Sequence, residues 1–160
     1  MRFRRSAAIG AAIAGALAAG TIAGCGSEPD DAAPAACLAT NAGYLHALER
    51  APGQVRLGGT TPIADCLVPD QDGGQLASIG QEMIVAATKL NGEARRDPGG
   101  AAAVQLGYLI GAVSKGADAI HTDLVRRLNS AARFSETGGA LPAEFERAFG
   151  RGYAAGRSSG

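Results

Sequence analysis

The chain has 160 residues, of which 35 are alanine and 24 are glycine, so more than a third of its positions contribute little or no side chain to a core. Its 15 basic and 15 acidic side chains cancel to zero net charge, and it has no tryptophan, which argues against a general nucleic-acid binder or a strongly acidic buffering protein. The glycines lack the strict period of collagen, and the length allows one domain.

The N-terminus has the order of an export signal. Three arginines lie within residues 1–5, and residues 7–23 carry no charge and consist almost wholly of alanine, glycine, isoleucine and leucine. A basic segment followed by a short apolar one is typical of a signal peptide. The small side chains make a permanent transmembrane helix the weaker interpretation. We therefore expect residues 1–24 to direct export and then to be removed.

The end of this segment, Ile22-Ala23-Gly24-Cys25, resembles the lipobox of bacterial lipoproteins. The resemblance implies that a diacylglyceryl group is attached to Cys25 and that cleavage leaves Cys25 as the first residue. Two acyl chains hold a protein on a membrane where one binds only reversibly. The expected location is the extracytoplasmic face of the cell membrane, contacted through the lipid on Cys25. The alternatives are an ordinary signal peptide with an incidental cysteine and twin-arginine export through Arg4-Arg5.

Residues 25–35 are polar and contain prolines, which predicts a flexible tether in front of a domain at 36–156 and a disordered tail at 157–160. Removal of residues 1–24 leaves 12 basic and 15 acidic side chains. Acidic residues predominate in 25–93 and basic residues in 94–160, so the net charge of the processed chain is negative in its first half and positive in its second half.

The first part of the domain combines a helix with a long loop. Residues 37–50 predict a helix that Pro52-Gly53 ends, and residues 52–73 are too rich in proline, glycine and threonine for any long element beyond a short strand at 55–57. Because Cys37 and Cys66 are the two cysteines that remain in an exported chain, we expect a disulfide that ties this loop to the first helix. The alternative is a pair of free or metal-binding thiols.

Helical periodicity governs the middle of the chain. Apolar residues spaced by three and four predict a helix over 74–92, with Asp72 or Gly73 as its cap. Asp97-Pro98 predicts the cap and first residue of the next helix, which is apolar nearly all round and is therefore expected to be the most buried. Small residues four apart on it predict close approach of a neighbouring backbone: Ala103, Gly107 and Gly111.

The pattern continues with Ile120, Leu124 and Leu128 to about Phe134, and the sequence leaves open whether residues 99–134 form one helix or two. Pro142 predicts the start of a last helix, along which aromatic residues recur at intervals of four: Phe145, Phe149 and Tyr153. The predicted fold is all-α, a small bundle of four to five helices with a long disulfide-tied loop after the first helix.

Two histidines limit any histidine-based chemistry. His46 and Glu49 stand three apart on the first helix, and Asp118 and His121 stand three apart later in the chain, so each pair faces one way. Carboxylates and imidazoles on facing helices build metal sites in bundles, but the glutamate and histidine order of the di-iron proteins is missing. Capping and surface hydrogen bonds are the preferred explanation, with a metal-binding bundle as the alternative.

Other site motifs give no positive indication of chemistry. Residues 70–74 alternate acids before glycine, but the position that completes a calcium loop is Gln81 rather than glutamate, so we expect a turn and a helix cap. The nucleophile elbow, the Walker loop, the dinucleotide fingerprint and the zinc-protease motif are absent from the sequence. Catalytic residues stay unknown, and we expect neither an enzyme nor a cofactor.

Arginines gather in the last third of the chain and predict a face that binds anions. They are Arg126, Arg127 and Arg133, followed by Arg147, Arg151 and Arg157. We expect a non-enzymatic binding or accessory lipoprotein of the cell envelope, whose partner, an envelope protein or an anionic polymer, meets this face or the 52–73 loop. A structural envelope spacer is a further alternative. The chain order resembles that of Ala/Gly-rich envelope lipoproteins, which implies no activity.

Overall fold

A computed structural model describes residues 32–135 and 138–160. The predicted signal peptide, Cys25 and most of the tether lie outside the described residues. Within the described part the helices are α1 (Asn41–Leu48), α2 (Gly73–Arg96), α3 (Ala101–Gly116), α4 (Thr122–Arg133) and α5 (Ala143–Ser159). Short 3-10 helices occupy Ala35–Leu38, Ile63–Cys66 and Ala119–His121. The all-α prediction is confirmed.

The described residues contain no β-strand. Where the sequence allowed a short strand at 55–57, an isolated bridge joins Leu57 to Thr61 across a turn in which Gly58 and Gly59 have positive φ. Among the described helices none has both the length and the apolar character needed to cross a bilayer.

The centre of the bundle is α3. Its residues from Leu106 to Val113 are all buried, as are Ala103 and Val104, which confirms the expectation from its apolar pattern. The helices α2, α4 and α5 and the 3-10 helix Ile63–Cys66 pack around it.

The closest packing joins α3 to α5 through glycines on both helices. A Cβ atom placed on Gly107 would lie 2.0 Å from the carbonyl oxygen of Phe149, and one on Gly152 would lie 1.9 Å from that of Val104. Gly111 and Gly156 are equally constrained, at 2.3 and 2.2 Å from carbonyl oxygens. The small face predicted on α3 is confirmed, and it meets a second small face on α5.

The disulfide between Cys37 and Cys66 is present, with the two Cα atoms 5.4 Å apart and both residues fully buried. The alternative of free or metal-binding thiols is therefore wrong. Cys37 lies in the 3-10 helix before α1, so the predicted helix over 37–50 is divided into two short pieces. The bridged loop is folded onto the core, since Val55, Leu57 and Ile63 are buried.

Both ends of the domain differ from the prediction. Ala33 is buried and its N–H donates to Oε1 of Gln75 at 2.9 Å, so part of the predicted tether belongs to the domain. The predicted disordered tail at 157–160 is wrong, because α5 continues to Ser159. The Nζ of Lys115 on α3 donates to the carbonyl oxygens of Ser158 and Gly160, at 3.2 and 2.9 Å.

The connections between helices also correct the sequence analysis. Asp97 closes α2 rather than opening α3: its N–H donates to the backbone carbonyl oxygen of Glu93 at 3.1 Å, and α3 begins three residues beyond Pro98. Residues 99–134, for which the sequence left open one helix or two, contain two separate helices, α3 and α4. α3 ends at Gly116, where a Cβ atom would lie 2.2 Å from the carbonyl oxygen of Ala64.

Candidate functional site

The first histidine pair lies on the surface. His46 Nδ1 is 3.3 Å from Glu49 Oε2, and the two side chains are 84% and 66% exposed. Such an exposed pair within one turn has the geometry of a surface interaction worth little stability.

The second pair is part of a buried hydrogen-bond network. His121 is fully buried, and its Nε2 lies 3.3 Å from Oε1 of Gln71. The amide nitrogen of Gln71 donates to the carbonyl oxygen of Cys66 and to Oε1 of Gln75, both at 3.2 Å. Because the Gln71 amide nitrogen donates in both of these bonds, Oε1 of Gln71 is the acceptor in the contact with His121. The Nε2 atom of His121 is therefore the donor in that contact and carries a hydrogen.

The other ring nitrogen of His121 faces Asp118. Its Nδ1 is 3.1 Å from the Asp118 backbone nitrogen and 2.8 Å from Asp118 Oδ1, in a capping box at the turn before α4. The Nδ1 atom accepts the backbone N–H of Asp118, which closes the capping box. The capping explanation of this pair is confirmed.

The four candidate metal ligands do not form one site. In residues 32–135 and 138–160, no group of three or more histidine, cysteine, aspartate or glutamate side chains has an arrangement that holds a metal. The loop at 70–74 ends in a helix cap, as expected: Asp72 Oδ1 accepts from the N–H groups of Gly74 and Gln75 at 2.9 and 3.0 Å.

The arginines of the predicted basic face divide into two groups. Arg126 pairs with Asp123, Arg147 pairs with Glu144 at 3.2 Å, and Arg157 donates to the carbonyl oxygen of Ser114 at 2.6 Å. The remaining three are exposed, and their guanidinium groups have no partner in the described part of the chain: Arg127, Arg133 and Arg151. Half of the predicted face is therefore engaged locally.

A groove of about 820 Å³ lies where the C-terminal half of α2 faces the end of α4 and the segment that leads into α5. Its described lining residues include no acid. Ala131, Phe134, Ala140 and two prolines supply apolar surface, and Arg95 and Arg96 supply positive charge.

One wall of the groove is fixed by Arg95. Its Nε donates to Oδ1 of Asn91 at 3.1 Å, and its Nη2 donates to the carbonyl oxygens of Arg133 and Phe134 at 3.1 and 2.6 Å. The guanidinium carbon also lies 5.6 Å from the centre of the Phe145 ring, a cation–π distance. Arg95 therefore joins α2 to the last carbonyl groups of α4.

Two groove residues are left available. The guanidinium group of Arg96 is exposed and has no hydrogen bond or ion pair with any described residue, and the side chain of Phe134 is 62% exposed. Arg95 and Arg96 are not among the site residues predicted from the sequence. Their position just beyond the end predicted for α2, within the basic half of the chain, is the sequence signal that points to them.

Two titratable groups at the contact of α1 with α2 depart from their ordinary behaviour. Oε2 of Glu82 accepts from the side-chain and backbone nitrogens of Asn41, at 2.8 and 2.5 Å, and these hydrogen bonds lower the pKa of Glu82. Burial raises the pKa of Tyr44, and the negative charge of Glu82 adds to that effect. The Tyr44 hydroxyl donates to the carbonyl oxygen of Cys37 at 2.8 Å.

Comparison of the chain with protein-family models, with curated proteins and with solved structures finds no match. The described residues form a disulfide-bonded helical bundle with a groove beside the C-terminal half of the longest described helix, α2.

Proposed function

We propose that the chain is an exported lipoprotein, held at the extracytoplasmic face of the cell membrane by a lipid on Cys25. Its domain serves as a non-enzymatic binding or accessory protein of the cell envelope. The signal-like N-terminus and the lipobox resemblance support the proposed location. The groove is the surface at which we propose that a partner binds.

The observation that carries this proposal is the use of the three cysteines. Cys37 and Cys66 form a fully buried disulfide, and such bonds persist in oxidising compartments outside the cytosol. This leaves Cys25 as the odd cysteine, and an odd cysteine in an exported protein needs a role of its own. Lipidation at the lipobox provides that role.

The groove is a better binding surface than the 52–73 loop. Val55, Leu57, Ile63 and Leu67 of that loop are buried, so the loop contributes to the core, whereas the groove exposes both a guanidinium group and an aromatic ring. Binding sites combine apolar lining with a few polar groups that fix orientation. We therefore propose that the partner binds at the groove and at the neighbouring Arg133.

The proposed membrane location and lipidation are tested by intact-mass analysis of the protein from a bacterial host that processes lipoproteins. We expect a chain that begins at Cys25, carries a diacylglyceryl group and fractionates with the membrane. Cys25→Ser removes the lipid and the membrane retention, while Ser27→Ala, two residues away, retains both. A wild-type chain with an unmodified Cys25 thiol, or one recovered from the cytosol, contradicts the proposal.

A further inference from the structure

We propose that the gating segment, residues 33–48, controls reduction of the disulfide between Cys37 and Cys66. The segment undocks from α2 as a unit while the rest of the bundle stays folded, and an external dithiol reaches the bridge only in that open state. The domain is therefore a redox-sensitive element, a property that goes beyond the binding role proposed above.

The closed domain shields the bridge from reductants. Cys37 and Cys66 are both fully buried. Thiol–disulfide exchange requires that an attacking thiolate contact one of the two sulfur atoms. Because both cysteines are enclosed by the core, part of the structure must move before the bridge reacts.

The Cys66 side of the bridge is held on the bundle. Its 3-10 helix, Ile63–Cys66, packs on α3, and a Cβ atom on Gly116 would lie 2.2 Å from the carbonyl oxygen of Ala64. The carbonyl oxygen of Cys66 also accepts a hydrogen bond at 3.2 Å from the amide nitrogen of Gln71, which is itself buried. Movement on this side would therefore disturb the central helix.

The Cys37 side belongs to a small peripheral segment that is bound together internally. The hydroxyl of Tyr44 on α1 donates to the carbonyl oxygen of Cys37 at 2.8 Å, which joins α1 to the 3-10 helix Ala35–Leu38. The segment packs mainly on α2, and α1 has only eight residues. Small peripheral units open at a lower free energy than a whole domain. The gating segment is therefore the part whose undocking exposes the bridge.

Polar contacts close the seam between the gating segment and α2. Oε2 of Glu82 on α2 accepts from the backbone and side-chain nitrogens of Asn41, at 2.5 and 2.8 Å. The N–H of Ala33 donates to Oε1 of Gln75 at 2.9 Å. Nζ of Lys89 donates to Oδ1 of Asn41 at 2.6 Å. All of these bonds join the segment to α2, so their loss raises the population of the open state.

The exchange in the open state balances with a dithiol such as dithiothreitol. One thiolate of the reductant attacks a sulfur of the bridge, and the other bridge sulfur leaves as a thiolate and takes up a proton. The second thiol of the reductant then displaces the remaining cysteine, which also ends as a thiol, and the oxidised reductant leaves as a cyclic disulfide. Reduction opens the ring, so the residues between Cys37 and Cys66 join the connection that leads from the N-terminus to α2.

The test is the rate at which dithiothreitol reduces residues 26–160, exported behind a cleavable leader. This piece contains every residue that the structure describes and no cysteine other than Cys37 and Cys66. Free thiols are alkylated at timed intervals and counted by intact-mass analysis. We expect reduction below the urea unfolding transition, with a rate that depends on urea less than half as steeply as the unfolding equilibrium, because local opening exposes less surface.

Two pairs of variants separate local from global opening. Glu82→Ala removes the seam contacts and accelerates reduction about tenfold, whereas Glu144→Ala, which removes an exposed ion pair with Arg147 on α5, leaves the rate unchanged. Gly152→Ala disturbs the contact between α3 and α5 and leaves the rate near that of the wild type. If reduction required global unfolding, Gly152→Ala would accelerate it about thirtyfold.

Four results overturn the inference: no reduction below the unfolding transition, a rate that depends on urea as steeply as global unfolding, an unchanged rate in Glu82→Ala, or a rate in Gly152→Ala that rises in proportion to its loss of stability. Circular dichroism and urea unfolding establish the fold and the stability of each variant beforehand. Because the protein used carries no lipid and no partner, failure of this inference leaves the proposed location and binding role unaffected.

Discussion

A single methyl group at Gly152 is expected to destabilise the contact between α3 and α5. The Cβ of Gly152→Ala would lie 1.9 Å from the carbonyl oxygen of Val104, 2.8 Å from its carbonyl carbon and 2.9 Å from the nitrogen of Tyr108. All three are backbone atoms, so no side-chain rotation relieves the overlap. Restoring ordinary contact distances requires the two helices to separate locally by about 1.5 Å.

The size of the effect follows from two opposing terms. Overpacking of a core costs about 1–3 kcal/mol, and the upper value applies here because the obstacle is backbone. Alanine in place of glycine within a helix returns about 1 kcal/mol. The net loss in the free energy of unfolding is therefore about 2 kcal/mol, which lowers the melting temperature of a domain of this size by about 6–12 °C.

The matched control is Gly150→Ala, two residues earlier in the same helix, where a Cβ atom meets nothing within 4 Å. Only the helix-propensity term applies there, so we expect a gain of about 0.5–1 kcal/mol. Thermal and urea unfolding followed by circular dichroism compare the two variants with the wild type. If Gly152→Ala is as stable as Gly150→Ala, α3 and α5 do not pack backbone to backbone and the reasoning fails.

Three further predictions concern the disulfide and the titratable groups. Replacing Cys37 and Cys66 together by serine removes a bridge with a sequence separation of 29 residues and is expected to cost about 3–4 kcal/mol in urea unfolding; a loss below about 1 kcal/mol would contradict this. Burial raises the pKa of Tyr44 above its ordinary value of 10.0, so the folded state loses stability as the pH rises through and beyond that value; ultraviolet titration should show a late-ionising phenol that Tyr44→Phe removes. The pKa of Glu82 lies below its ordinary value of 4.5, so the stabilisation is present above that pH and is lost as acid protonates the carboxyl group. Asn41→Ala should raise that pKa in a carboxyl-carbon NMR titration, and an unchanged value would show that the hydrogen bonds are not its cause.

Much of the fold could be predicted from local sequence patterns. The spacing of apolar residues predicted α2 and the burial of α3, because helical period and burial are both properties of one segment. Asp72 was predicted as a cap for the same reason. Asp97-Pro98 misled because an aspartate before proline is compatible with the end of one helix as well as with the start of the next.

The remaining features depend on contacts between distant segments. The glycines of α3 predicted a close neighbour, but their spacing does not say which helix that is. Residues 157–160 were predicted to be disordered because terminal residues fray, whereas Lys115 on α3 binds the carbonyl oxygens of Ser158 and Gly160. The groove was not predicted because Arg96 and Phe134 belong to different segments and line one groove only through the packing of α2 with α4.

The position of the disulfide determines how the domain carries mechanical load. On the proposed anchoring, a pull from the membrane enters near Ala33 and reaches Cys37 within four residues. The covalent bridge passes that tension directly to Cys66, seven residues before α2 begins at Gly73. The whole of α1 and residues 52–65 of the loop lie inside the closed ring and are shielded, so drag on a captured ligand is borne by a covalent bond and by α2.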